Sequence, residues 1–183
     1  RQVVVVTSAG PREGASTTAA GLARVLALSG HRVVLVGGDL RSPSAVGAPG
    51  APGLAEVLVG TARLSQVLVE GEVPGLELLP AGDMPGNPSE LLGGRNMSDL
   101  LHHLAADRIV IIDAPPVCRF TDAVVLAEYA GGVLLVARAG RTSAEELREA
   151  ELAVGQGGGH MLGVVPNTVS DTGSGSRSVP DGV

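Results

Sequence analysis

With 183 residues, 44% of them apolar and 17% charged, the chain can bury the core of one domain or at most two small ones, which excludes general disorder. Thirteen basic residues, every one an arginine, stand against nineteen acidic ones, and a net charge of −6 argues against a nucleic-acid partner. One phenylalanine, one tyrosine and no tryptophan leave no base-stacking platform, and the single Cys118 excludes a disulfide framework or a cysteine-rich metal site.

No apolar run approaches the roughly 18 residues that span a bilayer, and no secretory signal precedes the first apolar segment, so a soluble segment is expected. It starts at Arg1, without methionine and directly before a strand, and is expected to be a piece of something longer. Residues 3–6 are a continuous apolar run read as a strand, and 16–29 follow with helical spacing, Ala20, Ala23, Leu26 and Ala27 lying along one face. A second strand at 33–36 precedes a Gly/Ala/Pro-rich loop over 45–53. A strand at 76–79 leads into a second loop at 80–88 and a short helix at 98–104. Then come a strand at 109–112, a short helix at 121–130 and a strand at 133–137. A helix over 142–154 carries Leu147, Ala150 and Val154 on one stripe, with Thr142-x-x-Glu145 as its capping box, and a last strand follows at 162–165. Apolar runs without polar alternation predict strands covered on both faces, as in parallel sheets. The order of elements predicts an α/β fold, a doubly wound, mostly parallel sheet with helices on both faces. A single domain is expected over 1–170, with 171–183 as a Gly/Ser-rich mobile tail.

In such sheets ligands bind beyond the carboxyl ends of the strands, so residues that follow the strands carry the chemistry. After the first strand comes Thr7-Ser8-Ala9-Gly10-Pro11-Arg12-Glu13-Gly14-Ala15-Ser16-Thr17, then a helix. A strand, a tight loop and a helix N-terminus make an anion cradle of backbone N–H groups and helix dipole. Such a loop ordinarily ends Gly-Lys-Ser/Thr, the lysine neutralising phosphates and the hydroxyl binding Mg2+; here Ala15 holds the lysine position. Gly37-Gly38-Asp39-Leu40-Arg41-Ser42-Pro43 follows the second strand and Asp113-Ala114-Pro115-Pro116 the strand at 109–112, each offering a carboxylate where a Mg2+ ligand or its supporting group belongs.

Pro11-x-Glu13-Gly14-x-Ser16-Thr17-Thr18, Asp39-Leu40-Arg41-x-Pro43, Pro85-x-Asn87-Pro88-x-Glu90-Leu91-Leu92, Ile111-Ile112-Asp113-x-Pro115-Pro116, Thr121-Asp122-Ala123 and Leu162-Gly163-Val164-Val165-x-Asn167 together resemble the bacterial tyrosine-kinase (BY-kinase) cytoplasmic domain of exopolysaccharide and capsule assembly. The resemblance covers nearly the whole chain and implies a phosphate-loop ATPase fold related to partition ATPases. It implies autophosphorylation of a C-terminal tyrosine cluster with ATP and Mg2+, and chain-length regulation with a membrane adaptor, fused or separate, at the inner face of the cell membrane. It also implies self-association. Carried over by position, Pro11, Arg12, Glu13, Gly14, Ala15, Ser16 and Thr17 hold the ATP or ADP phosphates and Asn167 reads the adenine. Ser16, Asp39 and Asp113 hold Mg2+, Asp39 and Asp113 being the catalytic carboxylates.

Four departures bear on that activity. The family's Gly-Glu-Gly-Lys-Ser reads Arg12-Glu13-Gly14-Ala15-Ser16; its Asp-x-Asp reads Gly37-Gly38-Asp39; the tail has no tyrosine, the only one being Tyr129; and the Glu/Arg-rich segment ahead of the first strand is absent from this sequence, either cut away or never present. A cation ~4 Å from a phosphate oxygen contributes roughly 4 kcal/mol at an effective dielectric near 20, and losing half of that weakens binding ~30-fold. Transfer suffers more than binding, because charge stabilisation dominates phosphoryl-transfer catalysis. The expected function is therefore that of a degenerate pseudo-kinase with weak or no ATP turnover. The alternative is an active tyrosine autokinase or ATPase in which Arg12 replaces the lysine. For the remaining polar residues the plain readings lead: Tyr129 and Cys118 as packing groups, Arg41 as a brace for its loop, and Glu145, Glu146, Glu149 and Glu151 as a solvated helix face.

Overall fold

The computed structural model describes residues 2–42, 46–48 and 50–168; Pro43 and the expected tail at 171–183 lie outside them. Seven strands, β1 (Val3–Ser8), β2 (Val33–Gly37), β3 (Val69–Glu70), β4 (Leu76–Leu79), β5 (Ile109–Asp113), β6 (Gly132–Arg138) and β7 (Met161–Asn167), form one sheet in the order β3-β4-β2-β5-β1-β6-β7. Every pairing is parallel except β3 with β4. The fold class expected from the apolar runs is the one found. The two-residue β3, exposed at both positions, is the element with no sequence signal.

Side chains alternate along the strands between two cores. Val3, Val5, Val34, Val36, Val110 and Ile112 join one; Val6, Val33, Leu35, Ile111 and Val136 join the other. The second core is roofed by α1 (Ala15–Leu28), which buries Ala15, Ala19, Ala23 and Ala27. Of the face expected from spacing, Ala23 and Ala27 are buried and Ala20 and Leu26 pack partly buried against the same core; the fully buried stripe is shifted to include Ala15 and Ala19, whose small side chains let the helix backbone approach the sheet. The first core is covered by α2 (Leu54–Val59), α3 (Leu64–Val67), α4 (Pro88–Leu92), α5 (Arg95–Leu104), α6 (Asp122–Tyr129) and α7 (Ala144–Gln156). The helices α2 to α4 lie in stretches too short for a helical period to declare itself. The α7 cap is also shifted by one residue: Ser143 is the N-cap, its hydroxyl accepting from the Glu146 N–H at 3.2 Å. Thr142 does not cap because its hydroxyl is bonded elsewhere.

Candidate functional site

The centre of the sheet brings the carboxyl ends of β2, β5 and β1 together, so the three loops singled out in the sequence meet. In the β2/β5 register Gly37 faces Asp113, and Val6 faces Asp113 in the β1/β5 register. A cleft of about 510 Å3 opens there, lined by Ser8, Pro11, Arg12, Glu13, Gly14, Ala15, Ser16, Thr17, Asp39, Ser42, Ala114, Pro115, Pro116, Arg119 and Phe120.

The loop between β1 and α1 is held from below. The Ser8 hydroxyl donates to the Gly10 carbonyl at 2.8 Å. Glu13 is only 3% exposed; one carboxyl oxygen accepts from the Gly10 N–H at 3.1 Å and the other from the Thr142 hydroxyl at 2.7 Å. Thr142 in turn accepts from the Arg138 N–H at 2.8 Å, which fastens the loop to the turn after β6. Glu13 therefore lines the cleft as a brace. The Asn167 amide donates to the Glu13 carbonyl at 2.9 Å. A side chain at Gly14 would collide with it, since a Cβ there would lie 2.1 Å from the Asn167 nitrogen. Gly14 also has φ +99°, the left-handed region that glycine enters without penalty. Arg12 has φ +61° and is the only non-glycine residue with positive φ among those described. The glycine of the family pattern is thus explained by the backbone, and Arg12 adopts the same region at a cost on the order of 1 kcal/mol.

The N-terminus of α1 faces this cleft with no side-chain cap and no acidic residue in its first turn. Four N–H groups of a helix start lack intrahelical partners, and together with the dipole they suit an anion. Ala15, nearly buried, puts a methyl group at the lysine position. Asp113 is 2% exposed; burial first, and then the nearby Asp39 charge, pushes its carboxyl up to about 6 against the pull of the neighbouring Ser16 hydroxyl. Asp39 is also raised, chiefly by burial, although its carboxyl accepts from the Arg41 N–H at 3.0 Å and from the Ser42 backbone. A hydroxyl and two carboxyls that disfavour each other's charge are hard oxygen donors for which a divalent cation is the natural neutraliser. Among the described residues no group of three or more His, Cys, Asp or Glu is arranged to hold a metal, so phosphate oxygens and water would complete such a site. The residues fit a Mg2+-phosphate ligand in shape and donor type and lack its principal cation.

Arg41 is a brace. Its Nε donates to Asp122 at 2.5 Å, its NH2 group to Ser89 at 3.2 Å, and its guanidinium lies 4.8 Å from the centre of the Phe120 ring. Ser89 also donates to Asp122, 1% exposed, at 2.6 Å. The Asn-Pro-x-Glu-Leu-Leu segment, the Thr121-Asp122-Ala123 turn and the Asp39 loop are thereby one hydrogen-bonded unit. Sequence reasoning identified the three motifs without this connection, because pairing across 48 and 81 residues leaves no local signal. Tyr129 lies at the opposite end of the sheet, beside Gln2 and Val3 at the start of β1, and donates to the Gly93 carbonyl at 3.0 Å. Cys118 is half-buried, and burial with Glu149, Glu146 and Glu13 nearby keeps its thiol protonated.

No protein-family model matches the chain. It is 37% identical over 168 residues to tyrosine-protein kinase YwqD of Bacillus subtilis (strain 168), an alignment covering 90% of this chain and 71% of that protein. It is 38% identical over 171 residues to the putative tyrosine-protein kinase EpsB of Ralstonia nicotianae, spanning 91% of this chain but only 23% of that relative. The kinase domain of Escherichia coli tyrosine kinase ETK superposes with a TM-score of 0.86 at 31% identity, over 98% of this chain and 72% of that one. The septum site-determining protein MinD of Pyrococcus horikoshii, complexed with Mg-ADP, shares the fold alone, at 20% identity over 97% of this chain and 73% of that one, with a TM-score of 0.72.

Proposed function

Since the chain belongs to the bacterial tyrosine-protein kinase family, we propose that it is the kinase-like domain of a regulator of exopolysaccharide or capsule assembly, in which nucleotide recognition persists and phosphotransfer is weak or lost. The observation that carries this reading is the buried Ala15 methyl group at the head of a cradle that keeps its uncapped helix start, Ser16 and two aspartates. Pro11 to Thr17 would hold the phosphates through backbone N–H groups, and Asn167, already tied to the loop, would present its remaining amide atoms to the adenine. Ser16, Asp39 and Asp113 would hold Mg2+, which when bound supplies charge neutralisation on the phosphate oxygens. Without the first carboxylate, Gly37 leaves the attacking group unordered, and the Tyr129 hydroxyl is engaged at the far end of the sheet. The domain would work through contacts with a membrane adaptor and with copies of itself at the inner face of the cell membrane. No helix among the described residues is long and apolar enough to cross that membrane.

A second reading, a working autokinase or ATPase, is favoured by one observation: Arg12 lines the cleft in the left-handed conformation of the glycine it replaces. Thermal melting with millimolar Mg-ADP, paired with an ATP hydrolysis assay, separates the two. A ligand at about 100 times its Kd stabilises by about 2.7 kcal/mol. A rise in Tm with negligible turnover, and turnover appearing in the Ala15→Lys/Gly37→Asp variant, are expected. Ordinary turnover in the unaltered chain establishes the second reading instead.

A further inference from the structure

The cleft has a second arginine that neither the motif pattern nor the resemblance assigns. Arg119 lies on the loop after β5 and lines the wall formed by Pro115 and Pro116, whereas Arg12 lies on the phosphate loop itself. The position of Arg119 relative to that loop is fixed by backbone. The Pro115 carbonyl accepts from the Thr7 hydroxyl at 2.7 Å, the Val117 N–H donates to the Ser8 carbonyl at 2.8 Å, and the Arg119 N–H donates to the Pro116 carbonyl at 3.0 Å. Two consecutive prolines stiffen the segment further. The next residue, Phe120, is held under the Arg41 guanidinium.

Charge points the same way. Asp39 and the bracing Glu13 line the cleft and Asp113 lies close to Ser16, so the site holds three carboxyls and has no lysine to offset them. Arg41 is committed to Asp122. Neither Arg12 nor Arg119 forms an ion pair among the described residues. The acidic neighbours of Arg119, Glu146 and Glu149, are exposed beyond the other side of the loop, and Glu146 already accepts from the Ser143 N–H and hydroxyl in the α7 cap. Exposed pairs of that kind are screened by water and hold a long side chain weakly. A guanidinium has a planar fork suited to phosphate oxygens.

We propose that Arg119 contacts the phosphate groups of a bound nucleotide and supplies, from the loop after β5 beside the phosphate loop, the positive charge that Ala15 does not. The assignment rests on the cleft being a nucleotide-phosphate site, and the test keeps the two apart. Mg-ADP binding is measured by titration calorimetry on the 183-residue chain, on Arg119→Ala, Arg119→Lys, Ala15→Lys and, as a surface control, Arg95→Ala. Folding of each is checked by its melting curve without nucleotide. Arg119→Ala is expected to raise Kd about tenfold and to flatten its salt dependence, with partial recovery in Arg119→Lys and no change in Arg95→Ala. An unchanged Kd in Arg119→Ala overturns the assignment and leaves the nucleotide site standing. Binding seen only in Ala15→Lys does the same, since Arg119 would then not substitute for the lysine. Absence of binding in both the unaltered chain and Ala15→Lys overturns the reading of the cleft together with the role of Arg119.

Discussion

Asp113 is a carboxyl group at the end of a central strand, with the Ser16 hydroxyl favouring its charge and burial and a neighbouring carboxyl, Asp39, opposing it. Its folded value of about 6, against an ordinary 3.8, means that the folded chain holds this proton more tightly than the unfolded chain. Its contribution is therefore most favourable below pH 3.8 and declines as pH rises to about 6, by on the order of 3 kcal/mol. Asp113→Asn removes that decline. Denaturant unfolding at pH 7 without nucleotide should show the variant more stable by about 1–3 kcal/mol, with the gap closing towards pH 4. If the variant is less stable than the parent at pH 7, the carboxyl is not held in the unfavourable surroundings described. A buried carboxyl that weakens the fold beside a ligand cleft is what a binding site requires and a core does not.

At the scale of elements, the turn between β6 and α7 separates two neighbouring hydroxyls that look interchangeable in sequence. Ser143 caps α7, so Ser143→Ala should cost about 1 kcal/mol. Thr142 satisfies buried Glu13 and accepts from Arg138, so Thr142→Ala strands a buried carboxyl oxygen and an N–H group. That should cost about 2–3 kcal/mol, and it should loosen the phosphate loop, seen as faster amide exchange at Gly10. Equal losses in the two variants would show that the Glu13 link is not formed. The same turn explains the misplaced capping box. The spacing Thr142-x-x-Glu145 is correct for a cap, and so is Ser143-x-x-Glu146; the choice falls to the hydroxyl without a tertiary partner.

Across the whole molecule, the central strands serve both cores at once. Ile111 and Ile112 are adjacent on β5 and fully buried on opposite faces. Truncation of either to alanine should cost about 2–5 kcal/mol. Because one strand carries both side chains, each variant should unfold in a single transition with fluorescence-free probes such as far-UV dichroism and calorimetry coinciding. Two separate transitions would show that the α1 layer and the layer of the other helices fold independently.

The strands other than β3, and the parallel sheet, were legible in the sequence because parallel strands are written as short unbroken valine, leucine and isoleucine runs, a signal confined to four or five neighbouring residues. The same run in β7 did not announce that this strand sits at the sheet edge with Leu162 and Val164 exposed rather than covered on both faces. The cradle was legible for the same reason: strand, loop and helix start lie within a few residues of one another, and Ala15 announces the missing lysine by identity alone. Only the tertiary structure decided which groups serve the cleft and which serve the fold. Glu13, read as a phosphate-loop residue, is a brace met by Thr142 from 129 positions away; Arg41 is tied to Asp122 and Ser89; and Arg119, unremarkable in its own neighbourhood, reaches the cleft because two hydrogen bonds, from the Thr7 hydroxyl to the Pro115 carbonyl and from the Val117 N–H to the Ser8 carbonyl, join its loop to the root of the phosphate loop. Local patterns record what a residue does with its neighbours in the chain, whereas a charge or a hydroxyl takes its role from partners that the closed sheet brings within 3 Å.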